Sequence, residues 1–142
     1  PHVVKHIDGR DSLDRRFSER PYSVVEVRHF EPIIDGMWGT VHRGIGTAGV
    51  AYVKGLDICG KTGTAQNPHG KDHSTFLAFA PKDDPKIAIS VYVENGGFGS
   101  SVAAPIASLL MEMYLTGEVG RPELEEYIKS MKIAYPNYEK RK

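Results

Sequence analysis

The sequence predicts an α+β fold, a three-stranded antiparallel sheet closed by a C-terminal helix. Three observations predict it. Ile87, Ile89, Val91 and Val93 alternate through "KIAISVYVE" (86–94), and "STFLAFAP" (74–81) precedes it across only "KDDP", the spacing of a hairpin. An extended stretch, "LDICGKTGTAQ" (56–66), comes before these across the turn-forming "NPHGKDH" (67–73). After them, "SVAAPIASLLMEMYLTG" (101–117) carries its apolar residues at helical spacing.

The elements follow in chain order. "HVVKHI" (2–7) reads as a short strand, "DGRDSLDRRFSERP" (8–21) as a charged surface loop, and the β-branched "YSVVEVRHF" (22–30) as a strand or extended run. "EPIIDGMWGTVHRG" (31–44) reads as a helix. Glu31 and Pro32 suit its start, Ile33, Met37 and Val41 fall four apart beside Ile34 and Trp38, and Gly44 can stop it. "GIGTAGVAYVKG" (44–55) is glycine-rich loop. In the helix at 101–116, Ser101 can cap the N-terminus and Pro105 sits where a missing N–H is tolerated. Val102, Ile106, Leu109, Leu110 and Met113 should form its packed face, and Gly117 should end it. A weaker helix is expected through 122–133. Residues 1–117 thus form the body of the fold and 118–142 a C-terminal helix and tail. Three strands and one strong helix bury little area, so the piece is expected to need a partner.

The 142 residues make one domain or part of one, with ordinary hydrophobic (40%) and charged (25%) content. Lys+Arg and Asp+Glu balance at 18 each, which argues against a nucleic-acid or membrane-surface footprint. Lys140, Arg141 and Lys142 read as a solvated tail. The single cysteine, Cys59, cannot form an internal disulfide, and its place in an apolar run suits a buried, inert thiol. No apolar run approaches the ~20 residues of a membrane span, and no signal peptide is visible. The start at Pro1, without an initiator Met, suggests an excised or processed piece.

"GLDICGKTGTAQN" (55–67) supports two incompatible chemistries. Gly55, four residues, then Gly60-Lys61-Thr62 fits a phosphate loop, which would bind a nucleotide. That loop needs a helix opening at Lys61, yet Thr62-Gly63-Thr64-Ala65-Gln66-Asn67-Pro68 is poor helix material, with Pro68 alone costing about 3 kcal/mol. On a strand, Lys61 and Gly63 point one way and Thr62 and Thr64 the other. Gly63 then leaves room for a ligand against the backbone, the lysine suits a carboxylate, and an amide near Thr64 can face an oxyanion.

The surrounding motifs favour the strand. Lys61-Thr62-Gly63-Thr64-Ala65-Gln66, then "HSTFLAFAP", then "VENGGFGSSVAAPI", with "FEPIIDGMWGTVH" and "GTA" upstream, resemble the C-terminal part of the class B penicillin-binding proteins. The likeness is greatest to their cell-elongation branch and covers roughly residues 1 to 116. It implies part of a penicillin-binding, β-lactamase-like transpeptidase fold. The implied activity is D,D-transpeptidation of peptidoglycan through an acyl-serine, with D-Ala-D-Ala stem peptides and β-lactams as ligands and no cofactor or metal. By the same resemblance, Lys61 would hold the substrate carboxylate and bias the proton network, and Thr62 and Thr64 would offer hydroxyls across Gly63. The Thr64 N–H would form half of an oxyanion hole. Other implied partners are the rest of the transpeptidase domain and proteins of the elongation machinery. The implied location is the periplasmic face of the inner membrane, with the parent held by an N-terminal anchor.

The chain departs from that pattern in one respect. No serine has a lysine three residues on or an asparagine two on, so S-x-x-K and S-x-N are both missing. Tyr135-Pro136-Asn137 imitates the latter but lies on the wrong side of the triad. The expectation is a C-terminal fragment, inert alone, of an active parent; a non-catalytic wall-peptide-binding module is the alternative alongside the nucleotide reading. His69 and His73 read as loop residues rather than ligands, and Gly96, Gly97 and Gly99 as a flexible lip. Trp38 reads as core, and Glu125 and Glu126 as a poor acid–base pair because neighbours diverge on a helix.

Overall fold

A computed structural model describes residues 23–133. The strand expected at 2–7, the loop at 8–21, the Tyr135-Pro136-Asn137 imitation and the basic tail cluster lie outside the described residues. The elements are α1 (Glu31–His42), β1 (Cys59–Ala65), β2 (His73–Ala80), β3 (Ile87–Val93), α2 (Ala103–Thr116) and α3 (Pro122–Ser130). Short 3-10 turns occur at Val27–His29 and Gly49–Ala51. The sheet order is β1-β2-β3, antiparallel throughout, with Gly63 opposite Thr75 and Phe76 opposite Val91.

One sheet face carries the core. Phe76, Ala78 and Ala80 are buried against Ala103, Ala104, Ala107 and Met111 of α2, with Ile87, Ile89 and Val91 of β3 packed beside them. Val41, Ala48, Ala51, Val53 and Ile58 close the core at the β1 side. The helix at 101–116 is confirmed, and Val102 and Leu109 of its expected packed face are buried, but alanines and Met111 supply most of its contact with the sheet. Alanines let α2 lie close over the Phe76 ring, since interiors pack to a fixed density and a helix approaches only as near as its side chains allow. Two of the expected large residues turn away instead. Leu110 and Met113 stay about half exposed, at 52% and 47%. With Ile106, Leu109, Val119 and Ile128 they line an apolar cleft of about 260 Å³ between α2 and α3.

Two further expectations are corrected. The described part of the strand or extended run expected at 22–30 forms no strand: Val27–His29 make a 3-10 turn, and Val24, Val25 and Val27 are exposed. Among the described residues no strand pairs with this segment, and β-branched composition alone does not make a strand without a partner. The cap of α2 is not Ser101 either. The Ala103 N–H donates to Ser74 Oγ at 3.0 Å, and the Ser74 hydroxyl donates to the Phe98 carbonyl at 2.9 Å. A strand residue 29 positions upstream therefore satisfies an orphan donor of the helix and fixes the loop before it. At the other end Gly117 is left-handed (φ 85°), and its N–H reaches the Met113 carbonyl at 2.9 Å.

Arg121 ties α3 to the body. Its guanidinium donates to Glu112 Oε2 at 3.0 Å, Ser108 Oγ at 3.1 Å and the Val50 carbonyl at 3.2 Å. Glu112 is nearly buried, so removing the arginine strands a carboxylate in the core. We expect Arg121→Ala to cost about 3 kcal/mol in denaturant unfolding of the protein carrying this segment. Ser74→Ala should cost about 1–2 kcal/mol, while Ser101→Ala should stay within about 0.5 kcal/mol. Equal losses for the two serines would contradict the cap assignment.

Candidate active site at the open edge of the sheet

Among the described residues β1 is paired on one side only, with β2, and Lys61, Thr62, Gly63 and Thr64 lie on it. In an antiparallel pair, alternate residues turn both main-chain groups to the partner or both outward. Gly99 packs over the Gly63 N–H, the Gly63 carbonyl and the Thr75 carbonyl together, so Gly63 and Thr75 form a hydrogen-bonded pair. Thr62 and Thr64 then face outward. The Lys61 side chain confirms this phase by curling over the edge, its Nζ donating to the Thr62 carbonyl at 2.7 Å.

That curl solves a geometric problem. Lys61 and Gly63 share one face with Thr75, and Thr62 and Thr64 point to the other. The lysine nevertheless brings its ammonium round to the free edge, beside the outward Thr64 N–H. Gly63 has no room for a side chain, because a Cβ there would strike Thr75 Oγ1. Gly99 has none either, since it lies flat on the Gly63–Thr75 pair. Close approach of three backbones keeps this end of the sheet thin.

A pocket of about 360 Å³ opens beside Thr64, lined by Lys71, Asp72, Gly96, Gly97, Phe98 and Ser101. Its rim is stitched by side chains. Asn67 donates through Nδ2 to Asn95 Oδ1 (2.8 Å) and the Lys71 carbonyl (3.1 Å), and the Asn67 N–H donates to Asp72 Oδ1 (3.1 Å). The Gly97 N–H meets the Asp72 carbonyl at 2.7 Å, with Gly97 left-handed at φ 78°. Phe98 stands largely exposed on the lip.

The remaining candidates separate from this site. His73 Nδ1 accepts the Asn95 N–H at 3.1 Å, so it serves the rim, while His69 lies in the exposed turn. Among the described residues no group of three or more His, Cys, Asp or Glu could hold a metal ion, and no helix is long and apolar enough to cross a membrane. Trp38 brackets α1 to the sheet. Its indole N–H reaches Asp57 Oδ1 at 3.3 Å, its ring stacks on His42 at 4.5 Å, and the Lys82 ammonium lies 5.4 Å from the ring centre. Lys82 and Arg43 also pair with Asp35, and hydrogen bonds from Arg43 and then Lys82 hold that carboxyl below its usual range. Glu125 and Glu126 both pair with Lys129, at 2.8 and 3.4 Å. β1 runs unbroken as strand from Cys59 to Ala65, so no helix opens at Lys61 and the phosphate-loop reading is excluded.

One participant escaped the sequence reading. Thr47, in the loop after α1, places its Oγ1 3.0 Å from Thr62 Oγ1. The only local trace is the "GTA" at 46–48, which composition alone assigns to loop.

The strand edge thus carries an ammonium beside main-chain groups that face outward, and comparison with known proteins assigns the family. Residues 1–112 match the penicillin binding protein transpeptidase domain, and the chain belongs to that family. The chain is 32% identical to the peptidoglycan D,D-transpeptidase MrdA of Haemophilus influenzae, over 89% of this chain and 22% of that protein. It resembles Pseudomonas aeruginosa PBP2, solved in complex with WCK 5153, with a TM-score of 0.61 and 37% identity over 86% of this chain and 27% of that one. It also resembles penicillin-binding protein A of Mycobacterium tuberculosis, solved as an imipenem acyl-enzyme, with a TM-score of 0.54 and 32% identity over 65% of this chain and 20% of that one. The fold is therefore a part of the transpeptidase α+β fold, and the chain spans about a fifth of the length of the curated relatives it matches.

Cys59, two residues before the triad lysine, is fully buried. Burial pushes its thiol from an ordinary value of 9.0 up to about 11; Asp57, Asp83 and Asp35 add to the rise and Lys82 opposes it. The folded state thus favours the protonated thiol. Its contribution to stability is complete below pH 9 and is lost as pH rises through about 11. At pH 8 a thiol reagent should modify the native protein at least ~100-fold more slowly than the unfolded chain. Comparable rates would contradict the burial.

Proposed function

We propose that this chain forms the lysine-triad wall of a serine-type peptidoglycan D,D-transpeptidase, the nucleophile and its base coming from the rest of the domain. The observation that carries the proposal is that the Lys61 ammonium curls onto the strand edge where the Thr62 carbonyl and the Thr64 N–H face outward, with the Thr62 and Thr64 side chains neighbours on the same strand. The names of the relatives support it, since they are D,D-transpeptidases and one is captured as a β-lactam acyl-enzyme.

In this reading the C-terminal carboxylate of a D-Ala-D-Ala stem peptide sits against Lys61, Thr62 and Thr64, where a charge-assisted contact is roughly twice as strong as a neutral one. A serine oxygen attacks the carbonyl carbon of the penultimate D-Ala. The developing oxyanion accepts from the Thr64 N–H, the peptide C–N bond breaks, and D-Ala leaves having gained a proton. An amine of a neighbouring strand then attacks the ester, forming the cross-link and returning a proton to the serine. A β-lactam follows the first half, but its leaving nitrogen stays tethered and the acyl-serine persists. Gly63 and Gly99 keep the wall flat enough for the peptide to lie along it. The chain by itself is inactive, because it contains neither S-x-x-K nor S-x-N. The parent works at the periplasmic face of the inner membrane, held by an anchor outside this sequence and in contact with the elongation machinery.

Labelling with fluorescent penicillin tests this. The parent should form a covalent adduct and this chain alone none, and Lys61→Ala should slow acylation of the parent about 10- to 100-fold. Labelling of the isolated chain, or a Lys61→Ala parent that reacts like the unaltered protein, would overturn it.

A further inference from the structure

The contact between two hydroxyls at the site carries an inference that rests on the proposed transpeptidase reading and deepens it. Thr47 Oγ1 lies 3.0 Å from Thr62 Oγ1, and either oxygen could be the donor in the unliganded chain. A hydroxyl has one proton to give, and a carboxylate only accepts. When a ligand carboxylate takes the Thr62 proton, the contact can persist only if Thr47 donates to Thr62. We infer that Thr47 is a positioning residue that fixes the direction of this pair, so that Thr62 presents its proton to the ligand carboxylate.

The local structure is built for such a role. The Ala48 N–H donates to the Thr40 carbonyl at 3.0 Å and the Gly46 N–H to the Arg43 carbonyl at 2.8 Å, clamping both neighbours of Thr47 to the last turn of α1. Ala48 is fully buried in the core, and Gly46 presses so close to the Thr40 carbonyl that a Cβ would not fit. Thr47 itself is exposed, so its side chain does not fill the core. A clamped hydroxyl removes the rotor freedom that Thr62 would otherwise lose on binding, and donation from Thr47 polarises the Thr62 O–H towards its own acceptor.

The test uses the full-length transpeptidase carrying this segment and two probes, a penicillin with its free carboxylate and the methyl ester of the same molecule. Thr47→Val should lower the acylation rate constant for the free acid about three- to tenfold and leave the ester rate unchanged. Thr47→Ser, which keeps the hydroxyl, should recover most of the lost rate. In a Thr62→Val background, Thr47→Val should cause no further loss, because residues acting through one another are not additive. A folding defect scales both probes alike, so the acid-to-ester ratio reports on Thr47 even in a partly unfolded sample. Equal slowing of acid and ester, or additivity with Thr62→Val, would overturn the inference. If Lys61→Ala abolishes discrimination between acid and ester while Thr47→Val preserves it, the role of Thr47 fails and the proposed function stands. If the unaltered parent reacts with neither probe, both fail.

Discussion

The structure depends on one constraint: among the described residues β1 is hydrogen-bonded to β2 on one side and has no strand on the other. An antiparallel partner fixes which residues turn their amides inward, so the pairing of Gly63 with Thr75 dictates that Thr62 and Thr64 face out. An unpaired edge is ordinarily a liability, because it templates pairing with other chains. Here the Cys59 end is buried, and the Thr62 carbonyl is occupied by the Lys61 ammonium. What remains open is a short stretch around Thr64, with a pocket beside it. The same asymmetry that exposes an amide to a ligand limits exposure of the rest.

The fold serves that edge at several removes. Small residues on α2 bring the helix close to Phe76, which keeps the sheet and helix rigidly in contact behind the site. Ser74 joins the start of that helix to β2 and holds the Phe98 carbonyl, so helix, lip and strand share one hydrogen-bonded junction. Asn67, Asp72, Asn95 and His73 then tie the β1–β2 turn to the exit of β3. The pocket walls are therefore set by paired polar groups on turns, where backbone amides would otherwise go unsatisfied.

The sequence displayed most of the element order because its clearest features are local. Alternation through 86–94, the four-residue spacing of Ile33, Met37 and Val41, and Gly117 as a left-handed stop each depend on near neighbours. The misread features are tertiary. A β-branched run at 23–30 has no paired strand among the described residues, and the helix cap comes from Ser74 rather than the adjacent Ser101. The packed face of α2 was legible only in part: Val102 and Leu109 are buried as their size suggests, while close contact with the sheet selects alanine and leaves Leu110 and Met113 outside. The triad itself was legible through its ordered surroundings. The curl of Lys61 over the edge and the approach of Thr47 to Thr62 were not: the first is a side-chain conformation that no residue pattern encodes, and the second depends on how a loop 15 residues away is folded against α1.

Amide hydrogen exchange along β1 tests the central claim most directly. In the full-length protein the Gly63 amide, paired to Thr75, should be protected, while the Thr64 amide should exchange rapidly and become protected once a β-lactam acylates the site. Protection of Thr64 together with rapid exchange at Gly63 before any ligand is added would mean that the strand presents its other set of amides, and would contradict the account.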